Sequence, residues 1–181
     1  LSEFVDSLGV AGLLVAGFSS DLLEPIRICK DRDVAVVAMD DWKIPDISAV
    51  TVDRAEGSFQ ALEHLIKLGH KRIAFTATKK SSSPLILARV EGYCKALKDY
   101  DLDIDDSLFL DIHDAETFSE GYNLVNWLID HPLKPTAVFC TNDDVALGVI
   151  RGLYEKGIRI PEQMSIVGFN DSYDAGKSVI P

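Results

Sequence analysis

The sequence has few positive charges for its size. Its 18 Lys and Arg residues against 29 Asp and Glu residues give a formal net charge of −11 over 181 residues. Binding to a nucleic-acid backbone depends on clustered cationic side chains that release counterions. This charge therefore argues against a phosphate-backbone-binding surface on the chain, and we expect any DNA contact to be made by another part of the protein.

Long apolar runs and paired cysteines are also missing. No apolar run approaches the roughly 20 residues that a membrane-spanning helix needs, and the first residues lack the basic and apolar regions of a signal peptide. Cys29, Cys94 and Cys140 lie far apart in apolar segments, an arrangement that fits reduced core thiols better than a disulfide framework. Together these features predict a cytoplasmic protein.

Motifs for phosphate binding and metal binding are absent as well. No glycine-rich loop is followed by Lys-Ser or Lys-Thr, and His64, His113 and His131 show no metal-ligand spacing. Asp40 and Asp41 could hold Mg²⁺ in a phosphoryl-transfer enzyme, but that function needs a nucleophile or a phosphate loop. We predict no cofactor, no metal and no enzymatic activity.

What the sequence does contain is an alternation of short apolar runs with helical stretches of about a dozen residues. The runs are nearly unbroken, as in strands that are covered on both faces. The predicted strands are 12–16, 34–39, 49–52, 72–77, 108–111, 137–140 and 165–169, and the predicted helices are 53–69, 84–100, 117–131 and 143–156. This alternation predicts an α/β fold with parallel sheets.

Capping residues mark the ends of the predicted helices. Asp53 with Glu56, and Thr117 with Glu120, have the spacing of a capping box, and Gly69 suits a left-handed helix stop. The polar loop before the second helix either lines a binding mouth or is an ordinary surface loop.

Polar side chains follow the last two predicted strands. Asn142 and Asp143 come after one strand, and Asn170 and Asp171 come after the other. Because the carboxyl ends of strands in an open parallel sheet face the ligand crevice, these residues predict a site for a polar molecule. We expect Asp143 to be the N-cap of the next helix and Asn142 to contact the ligand. Asn170 either contacts the ligand, closes a turn, or is replaced in that role by Asp171.

A series of short motifs, in this order and at these spacings, resembles one protein family. They are VAGLLV at 10–15, VAMD at 37–40, HLIKLGHKRIAF at 64–75, ARVEGY at 88–93, PTAVF at 135–139, NDDVALG at 142–148 and SIVGF at 165–169. Over nearly its whole length the chain resembles the effector-binding core of the LacI/GalR family of bacterial transcription regulators.

The resemblance implies two Rossmann-like, doubly wound parallel-sheet subdomains of the periplasmic-binding-protein type, with an effector bound in the cleft between them. Residues 1–69 are then the rear part of an N-terminal subdomain that is incomplete in this chain, and residues 70–181 are the C-terminal subdomain. The family binds operator DNA through a helix-turn-helix that is expected to precede this chain. A homodimer that senses a sugar, a sugar derivative or a nucleobase-like effector is expected, and a transporter's extracellular sugar receptor is the alternative.

The resemblance also implies a set of effector contacts. They are Arg89, Asn142, Asn170, Asp40, Glu56, Phe118 and Trp42. Arg89 brings a planar fork of five donors that suits hydroxyls, carboxylates or phosphates, although spacing alone also allows it to pair with Glu91. Asn170 stands where the family usually has an aspartate, and this change favours a ligand with an acceptor or anionic group.

The remaining predicted contacts have structural alternatives. Asp40 can accept paired hydroxyls or lie in a solvated turn, and Trp42 can stack on a ring or pack at a subunit interface. Glu56 can alternatively belong to the helix cap and make no contact with the ligand. Phe118 can belong to the core, because the spacing before it departs from the family pattern.

Overall fold

The computed structural model of the chain describes residues 10–16, 22–39, 46–77, 79–81, 83–110 and 117–177. The chain divides into two compact units, Leu1–Asp53 and Arg54–Pro181. Each unit has its own sheet, in which all the paired strands are parallel. The predicted α/β class with parallel sheets is confirmed.

The first unit contains three short strands and one helix among its described residues. They are β1 (Gly12–Ala16), α1 (Leu23–Asp31), β2 (Ala35–Met39) and β3 (Ser48–Val50), with the strands in the order β1-β2-β3. The helix α1 lies outside the predicted helices, because its buried residues are only Ile26 and Cys29. An apolar stripe of two residues is too short to produce a helical period in the sequence.

The second unit contains three strands and five helices in its described part. They are α2 (Arg54–Lys67), β4 (Ile73–Phe75), α3 (Pro84–Asp99), α4 (Phe118–Asn123), α5 (Val125–Asp130), β5 (Ala137–Phe139), α6 (Asp143–Glu155) and β6 (Ser165–Val167). Short 3-10 turns occur at Asp106–Leu108 and Ala175–Lys177. The strand order is β4-β5-β6.

The two faces of this second sheet pack against different helices. Ile73 and Phe75 belong to one apolar cluster with residues of α2 and α3, whereas Ala74 belongs to another with residues of α5 and α6. The ring of Phe75 stacks between those of Tyr93 and Phe139, with centroid distances of 5.0 and 4.8 Å. Because successive strand residues point to opposite faces, the unbroken apolar run of β4 serves both clusters.

The division after Asp53 places α2 in the second unit, where it packs on α3. The contact is close: a Cβ atom at Gly92 of α3 would lie 2.0 Å from the carbonyl oxygen of Ala55 in α2. The subdomain bounds that the resemblance implies, 1–69 and 70–181, stay a prediction.

One predicted strand is wrong and one predicted helix is divided. Residues 108–111 do not form a strand among the described positions: Leu108 ends a 3-10 turn, and Phe109 makes a single bridge to Phe75. The side chain of Asp105 accepts a hydrogen bond from the Ser107 backbone N–H and so stabilises the turn. The predicted helix at 117–131 is interrupted at Leu124 between α4 and α5.

Other predictions about helix ends and cysteines are confirmed. Thr117 and Glu120 form the predicted capping box of α4, and Gly69 takes the left-handed conformation, with φ of 96°. The three cysteines are free thiols, of which Cys29 and Cys140 are buried. Within the described ranges, no helix has the length and apolar character needed to cross a membrane.

His70 contacts side chains at the starts of two strands, at the amino edge of the second sheet. Its Nδ1 lies 2.9 Å from the Thr136 hydroxyl, just before β5, and its Nε2 lies 2.9 Å from the Ser165 hydroxyl at the start of β6. Burial lowers the pKa of the imidazole from its usual value, so the folded state favours the neutral ring. His70 therefore has a structural role at this edge of the sheet.

Candidate functional site

The carboxyl edge of the second sheet collects several of the predicted contacts. The strands β5 and β6 pair with Phe139 opposite Val167, and Asn142 and Asn170 follow these residues at the same separation along the chain. The helix that follows a strand in a βα unit begins at the carboxyl edge, which places the starts of α3 and α6 there. Amide groups and helix N-termini therefore share one rim of the second unit.

Arg89 lies in the second turn of α3 and is only 6% exposed. Its guanidinium carbon lies 4.7 Å from the centroid of the Phe169 ring. Its Nη1 donates to the Leu85 carbonyl at 3.3 Å. Phe169 directly precedes Asn170, so the predicted contacts on α3 and after β6 are brought together.

The helix cap at the start of α6 is assigned differently from the sequence prediction. Asn142, not Asp143, is the N-cap: its Oδ1 accepts a hydrogen bond from the Val145 backbone N–H at 2.9 Å. The expectation that Asp143 caps the helix is wrong, because Asp143 is already helical. The side-chain oxygen of Asn142 therefore has a structural function, and the donors of this side chain are those of its amide nitrogen.

Asp143 instead joins α6 to the segment after β6. It is 6% exposed, and its Oδ2 accepts a hydrogen bond from the Ser172 backbone N–H at 2.6 Å. A Cβ atom at Gly168 would lie 2.3 Å from its Oδ1, so only glycine allows this approach. The contact links the residue after Asn142 to the segment that contains Asn170.

Asn170 is exposed and has a φ of 100°, followed by Asp171 with a φ of 53°. Asn and Asp adopt positive φ more readily than other residues with side chains. The backbone therefore gives its own reason for an amide at position 170, beside any contact with a ligand.

Glu56 lies in the first turn of α2, on the same unit as Arg89. It is exposed, and its carboxylate accepts a hydrogen bond from Gln60 at 2.9 Å. Its neighbour Gly57 touches the Phe169 ring, since a Cβ there would lie 3.0 Å from two ring carbons. Glu56 thus lies directly before Gly57, which contacts the ring that packs on Arg89.

Phe118 lies apart from this group. It is 45% exposed and lines a groove of about 540 Å³ together with Tyr122, Arg151 and Glu155. Tyr122 donates to the Glu155 carboxylate at 2.6 Å, and Arg151 donates to it at 2.7 Å. Arg151 and Glu155 lie roughly two to three turns beyond the start of α6, so this groove is not at the Asn142 end of that helix.

Two predicted contacts, Asp40 and Trp42, lie outside the described residues. Beneath the rim, burial raises the pKa of the Cys140 thiol well above its usual value, so this group stays protonated and unreactive. Among the described side chains, no group of three or more His, Cys, Asp and Glu residues is arranged to hold a metal ion.

Comparison with known families matches residues 62–181 to the periplasmic binding protein-like domain. This match includes all three strands of the second sheet together with α3 and α6. The chain belongs to the periplasmic binding protein-like domain family.

The similar proteins are transcription regulators. The HTH-type transcriptional repressor PurR of Haemophilus influenzae is 35% identical over 173 residues, which cover 93% of this chain and 49% of the repressor. A LacI-family regulatory protein from Chloroflexus aggregans has a TM-score of 0.82 at 28% identity. The match covers 97% of this chain and 62% of that protein's chain. A LacI-family regulator from Enterococcus faecium with bound ribose has a TM-score of 0.77 at 30% identity, with coverages of 94% and 62%.

These relatives confirm the resemblance to the LacI/GalR family and favour the regulator over the transport receptor. The chain spans about half the length of the repressor that it matches. Properties of the whole regulator, including its DNA binding, therefore enter only as proposals.

The main residue that sequence reasoning missed in this periplasmic binding protein-like domain is Phe169. The sequence predicts it only as the last residue of a strand, whereas its ring contacts Arg89, Gly57 and Phe139. A single phenylalanine after a glycine carries no local sign of such a contact. Sequence reasoning also missed the hydrogen bond between Asp143 and Ser172, because it links residues far apart in the chain.

Proposed function

We propose that this chain is the effector-sensing part of a LacI-type transcriptional regulator. A small polar molecule, such as a sugar or a related compound, binds at the carboxyl edge of the second sheet and alters DNA binding by a helix-turn-helix outside the chain. The observation that carries the proposal is the buried Arg89, which lies on the Phe169 ring next to Asn170.

The chemistry of the rim supports a polar ligand. Arg89 presents a cationic fork, and Asn142 and Asn170 supply amide donors and acceptors. An amide at position 170 removes a negative charge from the rim, which favours ligands that carry an acceptor or an anionic group. The ribose in the similar Enterococcus faecium regulator makes sugars and sugar phosphates the first class to test, followed by nucleobases.

The remaining contacts are proposed on the resemblance. Asp40, Trp42 and Glu56 are assigned to the effector site on the pattern of the family. Phe118 is the least supported of the set, because its ring lies in the groove beside Arg151 and Glu155.

In the whole protein, the effector would shift the equilibrium between two states of a cytoplasmic homodimer that differ in operator affinity. A coupling of about 1–3 kcal/mol would change operator affinity by roughly 5- to 150-fold. The domain has no enzymatic activity in this proposal. Operator binding by the full-length regulator, measured with and without the effector, tests the coupling, and an unchanged affinity with a bound effector would overturn it.

A thermal-shift screen of this chain against sugars, sugar phosphates and nucleobases tests effector binding. A ligand at 100 times its Kd adds about 2.7 kcal/mol to the free energy of unfolding, so a true effector raises the midpoint by several degrees. The follow-up titration compares Arg89→Ala with Arg72→Ala, whose exposed side chain lies at the amino edge of the same sheet. Loss of binding in Arg89→Ala alone supports the site, whereas equal binding in both variants moves the site elsewhere.

The variant Asn142→Asp distinguishes the role of Asn142 as the N-cap of α6 from its proposed role as a ligand contact. Aspartate is an equally good N-cap and suits the positive end of the α6 dipole, so the free protein should keep its stability within about 0.5 kcal/mol. The substitution removes the amide donors, and we expect weaker binding of a ligand identified in the screen. Unchanged affinity would show that Asn142 serves the helix only.

A further inference from the structure

The position of Arg89 depends on a close contact between two helices. Arg89 and Gly92 are three residues apart on α3 and therefore share a face. A Cβ atom at Gly92 would lie 2.0 Å from the Ala55 carbonyl oxygen and 2.9 Å from the Ser58 Cβ of α2. This backbone contact fixes α3 against α2 within one turn of Arg89.

The ring of Phe169 fills the space next to this contact. Its edge carbons lie 3.0 Å from the position that a Cβ would take on Gly57 of α2, and its centroid is 6.4 Å from that of Phe139 in β5. The Arg89 guanidinium carbon lies 4.7 Å from the ring centroid. The ring is thus held by α2, α3 and β5 together.

We propose that Phe169 is a positioning residue whose ring holds the Arg89 guanidinium at the carboxyl edge of the sheet. The attraction between a cation and an aromatic face depends on the ring quadrupole, which an aliphatic side chain of similar bulk lacks. Gly57 completes the arrangement because a larger residue would push the ring away. The effector role of Arg89 rests on the proposed function, but its position does not.

Phe169 also links two of the predicted contacts. Asn170 follows it directly and takes a positive φ, so a shift of the ring would move this backbone together with Arg89.

The test is side-chain NMR of the ligand-free 181-residue chain. We expect slow rotation about the Nε–Cζ bond of Arg89 and therefore separate signals for its two Nη groups, which Arg89→Lys identifies by their disappearance; averaged Nη signals in the unmodified chain would also contradict the proposal. In Phe169→Leu we expect rotation to be about tenfold faster, the factor that corresponds to a cation–π contact in a partly desolvated site. Unchanged slow rotation in Phe169→Leu would overturn the proposal.

Two controls separate positioning from a general loss of packing. Phe59→Leu removes a ring that lies 3.9 Å from the Lys95 ammonium on the same pair of helices, and it should leave the Arg89 signals unchanged. Arg54 is the other buried arginine of this pair of helices and lies on α2. Its signals should stay constant in all variants. If Phe59→Leu loosens Arg89 as much as Phe169→Leu does, the ring has only a general packing role.

Gly57→Ala provides a second variant if Phe169→Leu does not fold. Its added methyl group would displace the ring by a few tenths of an ångström while retaining the aromatic face. We expect a rate of Nε–Cζ rotation in Arg89 between those of the unmodified chain and Phe169→Leu. Slow rotation as in the unmodified chain would count against the proposal. Because all these measurements use ligand-free protein, a failed effector screen would contradict the proposed function and leave this result in force.

Discussion

In the first unit, side chains of short parallel strands remain exposed, whereas the strands of the second unit have no comparable exposure. Leu14 is 70% exposed, Met39 46% and Val50 66%, while all three residues of β4 and all three residues of β5 are buried. Both units follow the same βα pattern. They differ in how much of each sheet the described helices cover.

The difference shows that the sequence pattern of a strand does not determine how fully the strand is buried. Parallel strands are normally covered on both faces, and the second sheet has two large apolar clusters that do this. The described part of the first unit has one small cluster, formed around Val15, Ile26 and Ala38. Among the described residues, the second unit therefore buries more apolar surface than the first.

The sharpest way to break this comparison is to separate the units. We expect a fragment of residues 54–181 to unfold cooperatively on heating, and a fragment of residues 1–53 to show no cooperative transition, because its buried cluster cannot offset the conformational entropy of folding. Circular dichroism melting curves measure both. A cooperative transition in the 1–53 fragment would contradict the comparison.

A pair of glycine substitutions compares packing in the two units with the same added methyl group. Gly92→Ala would bring a Cβ within 2.0 Å of the Ala55 carbonyl oxygen, whereas Gly12→Ala in β1 would bring it to 3.4 Å from the Ala35 carbonyl oxygen. We expect Gly92→Ala to lower the free energy of unfolding by about 1–3 kcal/mol and Gly12→Ala to change it by less than about 0.5 kcal/mol. Urea denaturation gives both values, and equal effects would show that the units are packed alike.

The smallest expected effect concerns pH and belongs to the second unit, since residues 1–53 contain no histidine. Burial lowers the pKa of His70 in the folded state, so below its ordinary pKa of about 6.5 the unfolded chain binds more protons. Stability should therefore fall as pH decreases from about 7 to 5. Each hydrogen bond that is lost in His70→Gln should lower the free energy of unfolding by about 0.5–1.5 kcal/mol at pH 8.

The measurement is the slope of unfolding free energy against pH for the unmodified chain and for two variants. His70→Gln should reduce the slope, because it removes the partly buried imidazole. The matched control is His64→Gln on the exposed surface of α2, which removes a histidine without touching the sheet. A slope that is unchanged in His70→Gln would refute this assignment.

Much of the fold could be predicted from local patterns. The strand β1 has the predicted bounds, and the cap at Thr117 and the stop at Gly69 depend on interactions within a few residues. The helix α1 was missed because its buried face has only two residues. The strand predicted at 108–111 was wrong because apolar character alone does not distinguish a strand from a turn held by Asp105.

The candidate site was less predictable. The sequence placed polar residues after β5 and β6, but the hydrogen bond that Asp143 accepts from the Ser172 backbone N–H depends on where Ser172 comes to lie. The distance of Phe118 from Asn142 likewise depends on how α4 crosses α6. Such contacts join residues that are far apart in the chain, so no spacing in the sequence reveals them.

By itself the sequence determined the alternation of strands and helices, the parallel arrangement and the polar character of the strand ends. These properties follow from periodicity and from side-chain contacts within about one helix turn. The tertiary structure alone decided the division after Asp53 and the placement of Arg89 on the Phe169 ring. Both depend on close packing between distant segments at Gly92 and Gly57, where the missing side chains let the backbone approach.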